Sequence, residues 1–324
     1  MHPTAQVFHA WAKLEVTDHM NQKVLKGIVA GVSVAALFGS TAAFAASPDT
    51  TPQGVGGGVL NPTASVTNPV KALGAGLDGS SYVGKPQFAT WMLRMPDAGE
   101  NVYGIGANMT FWNRLELGIS RNDANFKNAN MQLGTDSVTT HDVSAKVQLL
   151  RGSAWRSAWM PSLSVGAIYR QANLNTPSFS GDAGSRNSDT DYYAVIGKRF
   201  RMMPMPWKID AGVRYTKAYM DGFGGYGNSR AHAWFGNIAV MPMHAFALGY
   251  EYTEATRVGT SPSGAPLVNP ARWDVYAKWN ATQNLSLKAA YLYSGSQRWT
   301  HYNASSNRSS ARGGGGMLSV QYAF

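Results

Sequence analysis

From residue 87 to the last residue, apolar and polar positions alternate with a period of two, and the alternation restarts repeatedly between polar breaks. Such a period puts successive side chains on opposite faces, the pattern of a strand whose two sides meet unlike surroundings. Eight rows are unambiguous: Tyr103, Ile105, Ala107, Met109, Phe111; Leu115, Leu117, Ile119; Val143, Ala145, Val147, Leu149; Leu163, Val165, Ala167, Tyr169; Trp207, Ile209, Ala211, Val213, Tyr215; Phe246, Leu248, Tyr250, Tyr252; Trp273, Val275, Ala277, Trp279; and Leu285, Leu287, Ala289, Tyr291, Tyr293. None carries a charge on its apolar face, as contact with lipid demands. The segments are about 9 to 11 residues long, enough for a tilted strand to cross a bilayer. The stretches 87–94 and 191–200 resist assignment, because Arg94, Lys198 and Arg199 spoil either choice of face.

The chain stops on one more such strand, with Leu318, Val320, Tyr322 and Phe324 on one face and Ser319, Gln321 and Ala323 on the other. That ending resembles the closing strand of bacterial outer-membrane barrels, where it is the signal read by the barrel-assembly machinery. Connections alternate in length. Breaks at 112–113, 202–206, 242–244 and 282–284 are short and 151–157 somewhat longer, whereas 122–137, 173–189, 221–230, 258–270 and 295–312 are long and polar. Together these features predict an all-β fold: a transmembrane antiparallel up-and-down β-barrel of about 12 strands over residues 87–324, with short periplasmic turns and longer outer loops. Aromatic residues at strand ends, such as Trp207 and Trp273, suit the headgroup level.

The segments WNRLELGISR (112–121), WMPSLSVGAIYR (159–170), FALGYEY (246–252) and WDVY (273–276) with NLSLKAAY (284–291) resemble the proteobacterial barrels catalogued as domain of unknown function 3034. The resemblance covers most of 87–324. It implies the barrel fold and no activity.

Ahead of the barrel, Lys23 and Lys26 precede an apolar run that ends at Ala43-Phe44-Ala45, the order of a secretory signal peptide over 20–45 with cleavage after Ala45. Residues 1–19 then read as a misassigned start. The expected location is the outer membrane of a Gram-negative cell, with outer-membrane lipid as a partner. Residues 46–86, rich in Gly, Pro, Ser and Thr, read as a flexible periplasmic tail in preference to a plug folded into the lumen.

Composition changes this picture little. There is no Cys, so neither disulfides nor thiolate chemistry arise. The formal net charge is +10, and 25 basic against 16 acidic residues remain beyond Ala45, but they are dispersed singly, which speaks against nucleic acid as a partner. The glycines of 222–227 match a dinucleotide pattern but lead into a strand at 231–241, so no cofactor is expected. His141, Asp142 and Ser144 invite a lipid-hydrolase reading, yet His141 and Ser144 point to opposite faces; His232, His244 and His301 would have to complete any triad. Nor do four scattered histidines have metal-ligand spacing.

The inward faces hold the candidate site. They carry Arg114, Lys146, Arg170, Lys208, Arg214, Arg272, Lys278 and Lys288 against Glu116, Asp142, Asp210, Glu251 and Asp274, a basic surplus. These are either salt-bridge ladders in a closed lumen or the lining of a water-filled pore that favours anions. The function expected is passive passage of small hydrophilic, anionic solutes, with a non-transporting structural or export-accessory barrel and an outer-membrane lipid hydrolase as alternatives. Arg170, Arg214, Arg272 and Lys288 are the lining charges expected to matter most. Val213→Arg or Val275→Arg should be costly, and Gly212→Ser, on the inward face, mild.

Overall fold

A computed structural model describes residues 48–67, 83–96, 100–126, 136–152, 159–173, 186–200, 205–243, 245–261, 264, 266–298 and 310–324. The expected signal peptide over 20–45 with its expected cleavage site, His244 and His301 lie outside the described residues. The elements in chain order are β1 (Asp49–Thr50), β2 (Gly56–Gly57), β3 (Gln87–Met95), β4 (Glu100–Phe111), β5 (Leu115–Phe126), β6 (Asp136–Leu150), β7 (Ser162–Asn173), β8 (Ser188–Phe200) and β9 (Trp207–Ala218). They continue with β10 (Tyr226–Met243), β11 (Phe246–Thr253), β12 (Thr256–Thr260), β13 (Pro266–Asn269), β14 (Arg272–Asn280), β15 (Leu285–Arg298) and β16 (Ser310–Ala323).

Twelve of these, β3 to β11 and β14 to β16, pair antiparallel around a closed barrel in the expected up-and-down order. The seam joins the first barrel strand to the last, from Gly316 opposite Arg94 to Ala323 opposite Gln87. Closure leaves the barrel without a free strand edge, which lipid could not satisfy. β1 pairs with β2 and β12 with β13 in two small separate hairpins.

All eight apolar rows face outward. Ile105, Ile119, Val143, Leu248, Val275, Tyr291 and the terminal Leu318, Val320, Tyr322 and Phe324 are exposed as large apolar side chains. The two ambiguous stretches become β3 and β8. In β3, Arg94 points outward at the next-to-last position, beside the loop end. In β8, Lys198 lies near the short-turn end, where its Nζ donates to the Met160 carbonyl at 3.1 Å. Both charges therefore sit at a rim, within reach of water for a long side chain.

The first short turn is as tight as expected: Trp112 and Asn113 both take positive φ, 50° and 54°, the geometry that matches the twist of a two-residue hairpin. The long connections are shorter than the sequence implies, because strands continue into them: β5 runs to Phe126, β10 begins at Tyr226 and β15 runs to Arg298. Polar loop composition did not stop the ladder there, since beyond the lipid both faces can be polar.

The interior is not empty. Residues 48–67, expected as part of a periplasmic tail, lie inside the barrel with Val55, Val59, Ala64 and Val66 buried. Val55 and Ala64 pack on Ile168, Tyr193, Val195 and Phe235, and Val59 packs on Trp91, Tyr276, Leu292 and Met317.

Candidate functional site

Why a Gly-rich segment fits here follows from barrel width. Eight strands enclose just enough room for their own side chains, and sixteen or more leave an aqueous channel. Twelve fall between, so wall side chains alone leave space. Glycines let a second chain fill it: a Cβ on Gly58 would collide with the Glu251 carboxylate and Asn237, and one on Gly118 of β5 with the Gly54 carbonyl. These glycines, read from sequence as flexibility, serve close approach.

The wall then grips the segment's main chain with ionised groups. Glu116 accepts from the Gly56 amide at 2.5 Å and the Thr67 amide at 2.7 Å. Glu251 accepts from the Leu60 and Asn61 amides at 2.8 and 3.1 Å. Lys146 donates to the carbonyls of Gly56 and Ser65, both at 2.8 Å, and pairs with Glu116 at 3.1 Å. Asp210 accepts from the Ala64 amide at 3.0 Å while Lys208 stands 3.3 Å from its other oxygen. Gln148 and Ser164 donate to the Ala64 carbonyl, Ser120 and Asn122 to that of Pro52, and Lys288 to that of Gly58. Arg214 reaches the Gln53 side chain at 2.9 Å.

Asp49 is the segment's own charge in the lumen. Its two oxygens meet Lys278 at 2.6 Å and Lys288 at 2.8 Å. Burial pushes its carboxyl upward, but the two ammonium groups outweigh this and hold it below the ordinary value of 3.8.

All twelve candidate residues, Lys146, Arg170, Lys208, Arg214, Arg272, Lys278, Lys288, Glu116, Asp142, Asp210, Glu251 and Asp274, turn inward, Arg272 half-buried and the rest buried. Arg114 does not join them: it is exposed at the first turn and donates to the Leu149 carbonyl at 3.2 Å. The basic surplus is also corrected. Asp49, Glu100 and Asp191 join the five acidic candidates, so eight buried carboxylates face six buried basic groups among the described residues. Asp191 was hidden in the ambiguous β8 and Glu100 ahead of the first readable row. Asp49 had no strand pattern to announce it.

The basic groups sort by height. Lys146, Lys208, Lys278 and Lys288 all lie within five positions of the short-turn ends of β6, β9, β14 and β15, whereas Arg170, Arg214 and Arg272 lie toward the long-loop ends of β7, β9 and β14. Arg170 pairs with Asp142, which also accepts from Asn122 and has the Ser120 hydroxyl 3.0 Å away. That network accounts for Asp142 without any nucleophile. His141 is exposed on the opposite face from buried Ser144, and His232 lies tilted against the Tyr215 ring, so the hydrolase constellation is not assembled by these residues.

Above the arginines the long-loop mouth is closed by apolar contact. Inward Val102, Ala124, Val138 and Ala172 meet Tyr219 and Met220 from the turn after β9, and Val258 and Leu267 from the β12–β13 hairpin. Asn269 fastens that turn, donating to the Ala218 carbonyl and accepting from the Met220 amide, each at 2.7 Å. Asp221 in the turn pairs with Arg272. Near the other mouth a cavity of about 30 Å³, room for roughly one water molecule, is lined by Asp49, Thr63, Lys208, Tyr276, Lys278 and Lys288 among others.

Residues 50–304 match the family described as "Protein of unknown function (DUF3034)". No curated protein matches the chain. Among solved structures, the NanC porin is similar at 9% identity and TM-score 0.49, covering 73% of this chain and 100% of its own. The KdgM porin follows at 11% identity and TM-score 0.44, covering 74% and 99%. An outer membrane channel from Pseudomonas putida F1 has 12% identity and TM-score 0.43, covering 77% and 100%.

Proposed function

We propose that this chain, which belongs to the family described as "Protein of unknown function (DUF3034)", is an outer-membrane channel for small hydrophilic solutes whose resting state holds its own N-terminal segment in the lumen. The observation that carries this reading is the direction of the wall's charges. Glu116, Glu251, Lys146 and Lys288 are spent on the main chain of residues 56–67, where a permanently filled core would use apolar side chains. When the segment withdraws, those groups meet water instead, and the twelve inward candidates become the lining. The balance of wall carboxylates and basic groups removes the reason to expect net anion preference along the whole lumen. A closed structural barrel is the second reading, favoured by the apolar seats of Val55 and Val59.

Planar-bilayer recording of protein extracted from outer membranes separates the two. The parent should show rare openings, and a chain lacking 48–67 steady current. Because the chain contains no Cys, Asn61→Cys with Thr253→Cys, whose native side-chain oxygens are 2.9 Å apart, offers a lock that keeps the segment in place: oxidised protein should stay shut and reduced protein should recover at least the parent's rare openings. A folded barrel that stays shut in both tests makes the structural reading correct.

Export by the signal over 20–45 belongs to the same proposal, as does recognition of the last strand by the assembly machinery. Phe324 is exposed there, its ring 5.5 Å from Phe88 and 5.1 Å from Tyr322, edge-on in both cases. Terminal sequencing should find Ala46 first, and removal of Phe324 should lower the yield of assembled barrel.

A further inference from the structure

We propose that Lys278 and Lys288 form a binding site for the carboxylate of a small organic acid, and that Asp49 is its internal occupant. The inference rests on the channel reading above and names the chemistry of its solute.

The two lysines lie directly opposite each other on β14 and β15. Like charges in that relation repel, and both are buried, so the wall places two cations together in a site that wants an anion. The anion observed between them belongs to the movable segment. Asp49 presents one carboxylate oxygen to each lysine, at 2.6 and 2.8 Å. That is the arrangement a free carboxylate would adopt, with an ammonium on each oxygen and the rest of the molecule pointing away.

Once Asp49 leaves, the volume it frees joins a small cavity already beside the pair. The small cavity adjoining Asp49 is walled by Lys208, Tyr276 and Thr63 as well as the two lysines. Lys288 also sits 5.8 Å from the centre of the Tyr276 ring, a face that would cover the carbon skeleton of a guest. Lys208 brings a third ammonium to the same cavity, already paired with Asp210 at 3.3 Å. All three lysines lie near the short-turn mouth. A carboxylate arriving there competes with Asp49 for the same two cations. Binding of the guest and seating of the segment then exclude each other, so the solute itself favours the open state by linkage.

Succinate is the probe, applied at constant ionic strength to the full exported chain, with two readouts. In bilayers, succinate should raise the parent's open time several-fold, while Asp49→Asn should be open without it. In detergent, calorimetry should find succinate bound at least tenfold more tightly by Asp49→Asn than by the parent. Lys278→Gln with Lys288→Gln should lose both effects, and Asp49→Glu should behave as the parent, which guards against variants that merely misfold. Current that ignores succinate in every variant, with equal binding in parent and Asp49→Asn, overturns the site and leaves the channel standing. Tighter binding by Asp49→Asn with no current anywhere keeps the site and sinks the channel. Inorganic phosphate acting as well as succinate overturns the carboxylate assignment.

Discussion

The two ends of the lumen are closed by different chemistry. At the long-loop mouth, eight apolar side chains from the wall, one turn and one hairpin meet in a layer. Toward the short-turn mouth, buried Glu116, Lys146 and Lys288 hold main-chain groups of Gly56, Gly58, Ser65 and Thr67, with two valines on apolar seats deeper in the lumen. The first closure is non-directional and needs only volume and apolarity. In the second, every bond specifies a partner, and a change that removes one partner leaves another group buried without its mate. The short-turn closure is therefore the one that a competing polar solute can address, and the long-loop closure the one that must move as a body.

The sharpest way to break this contrast is Glu116→Ala. It strands Lys146 and the Gly56 and Thr67 amides, and the loss of one partner from a buried pair costs about 3 to 5 kcal/mol. The heat needed to shift the barrel's electrophoretic mobility should fall accordingly, and protease should cut within 48–67. An unchanged cutting pattern would mean that the segment is held by its valines rather than by the wall's charges.

Both closures lean on one wall, whose parity is tested by Val275→Arg. A cation on the lipid face near the midplane should cost about 2 to 4 kcal/mol in folding free energy. Folding yield in lipid equal to that of the parent would reverse the assignment of faces. Gly212→Ser no longer serves as the mild companion expected from sequence, because a Cβ at Gly212 meets the Phe235 ring and the Ala194 carbonyl.

Leu267→Ala should cost less, about 2 kcal/mol, the low end for a buried leucine because a loop hairpin can collapse around the gap. Hydrogen exchange should quicken at the β12–β13 hairpin and at Met220, and remain slow at Gly56 and Thr67. Faster exchange at both ends would show that the closures form one cooperative unit.

The smallest effect is that of acid on Asp49. With its carboxyl depressed in the folded state, its contribution is complete above the ordinary value of 3.8 and is lost as pH falls through the lower, folded one. Exchange at the Thr50 amide, expressed relative to the intrinsic rate of an unfolded chain at the same pH, should therefore be the same at pH 7 and pH 5. It should rise only in stronger acid. A rise already at pH 5 would assign the closure to other groups.

Much of the wall was legible because lipid imposes a rule that sequence must obey at every second position: Val143, Leu248 and Tyr291 have no alternative. The strand face opposite obeys no such rule, and there legibility failed in a particular way. The inward positions of Lys278 and Lys288 were readable, but what neutralises them was not, since Asp49 lies more than two hundred residues away in a stretch without periodicity. The segment's hold on the wall is largely through amides and carbonyls, which every residue possesses and no sequence displays. A signal did exist. Two lysines facing each other on adjacent strands ask for an anion, and Asp49 is one of the two acidic residues of the Gly/Pro-rich stretch 46–86 that could supply it.

The route of the segment has a topological consequence. Asp49 lies against Lys278 near the short-turn end of β14, and Thr67 against Thr110, next to the last residue of β4 at that same end. Both described ends of the segment thus lie at one mouth, so that residues 48–67 form a bight, like a folded rope pushed into a pipe. On the channel reading, what leaves the lumen is therefore a loop rather than a free end, and residues 48–67 can be withdrawn without being unthreaded past the wall.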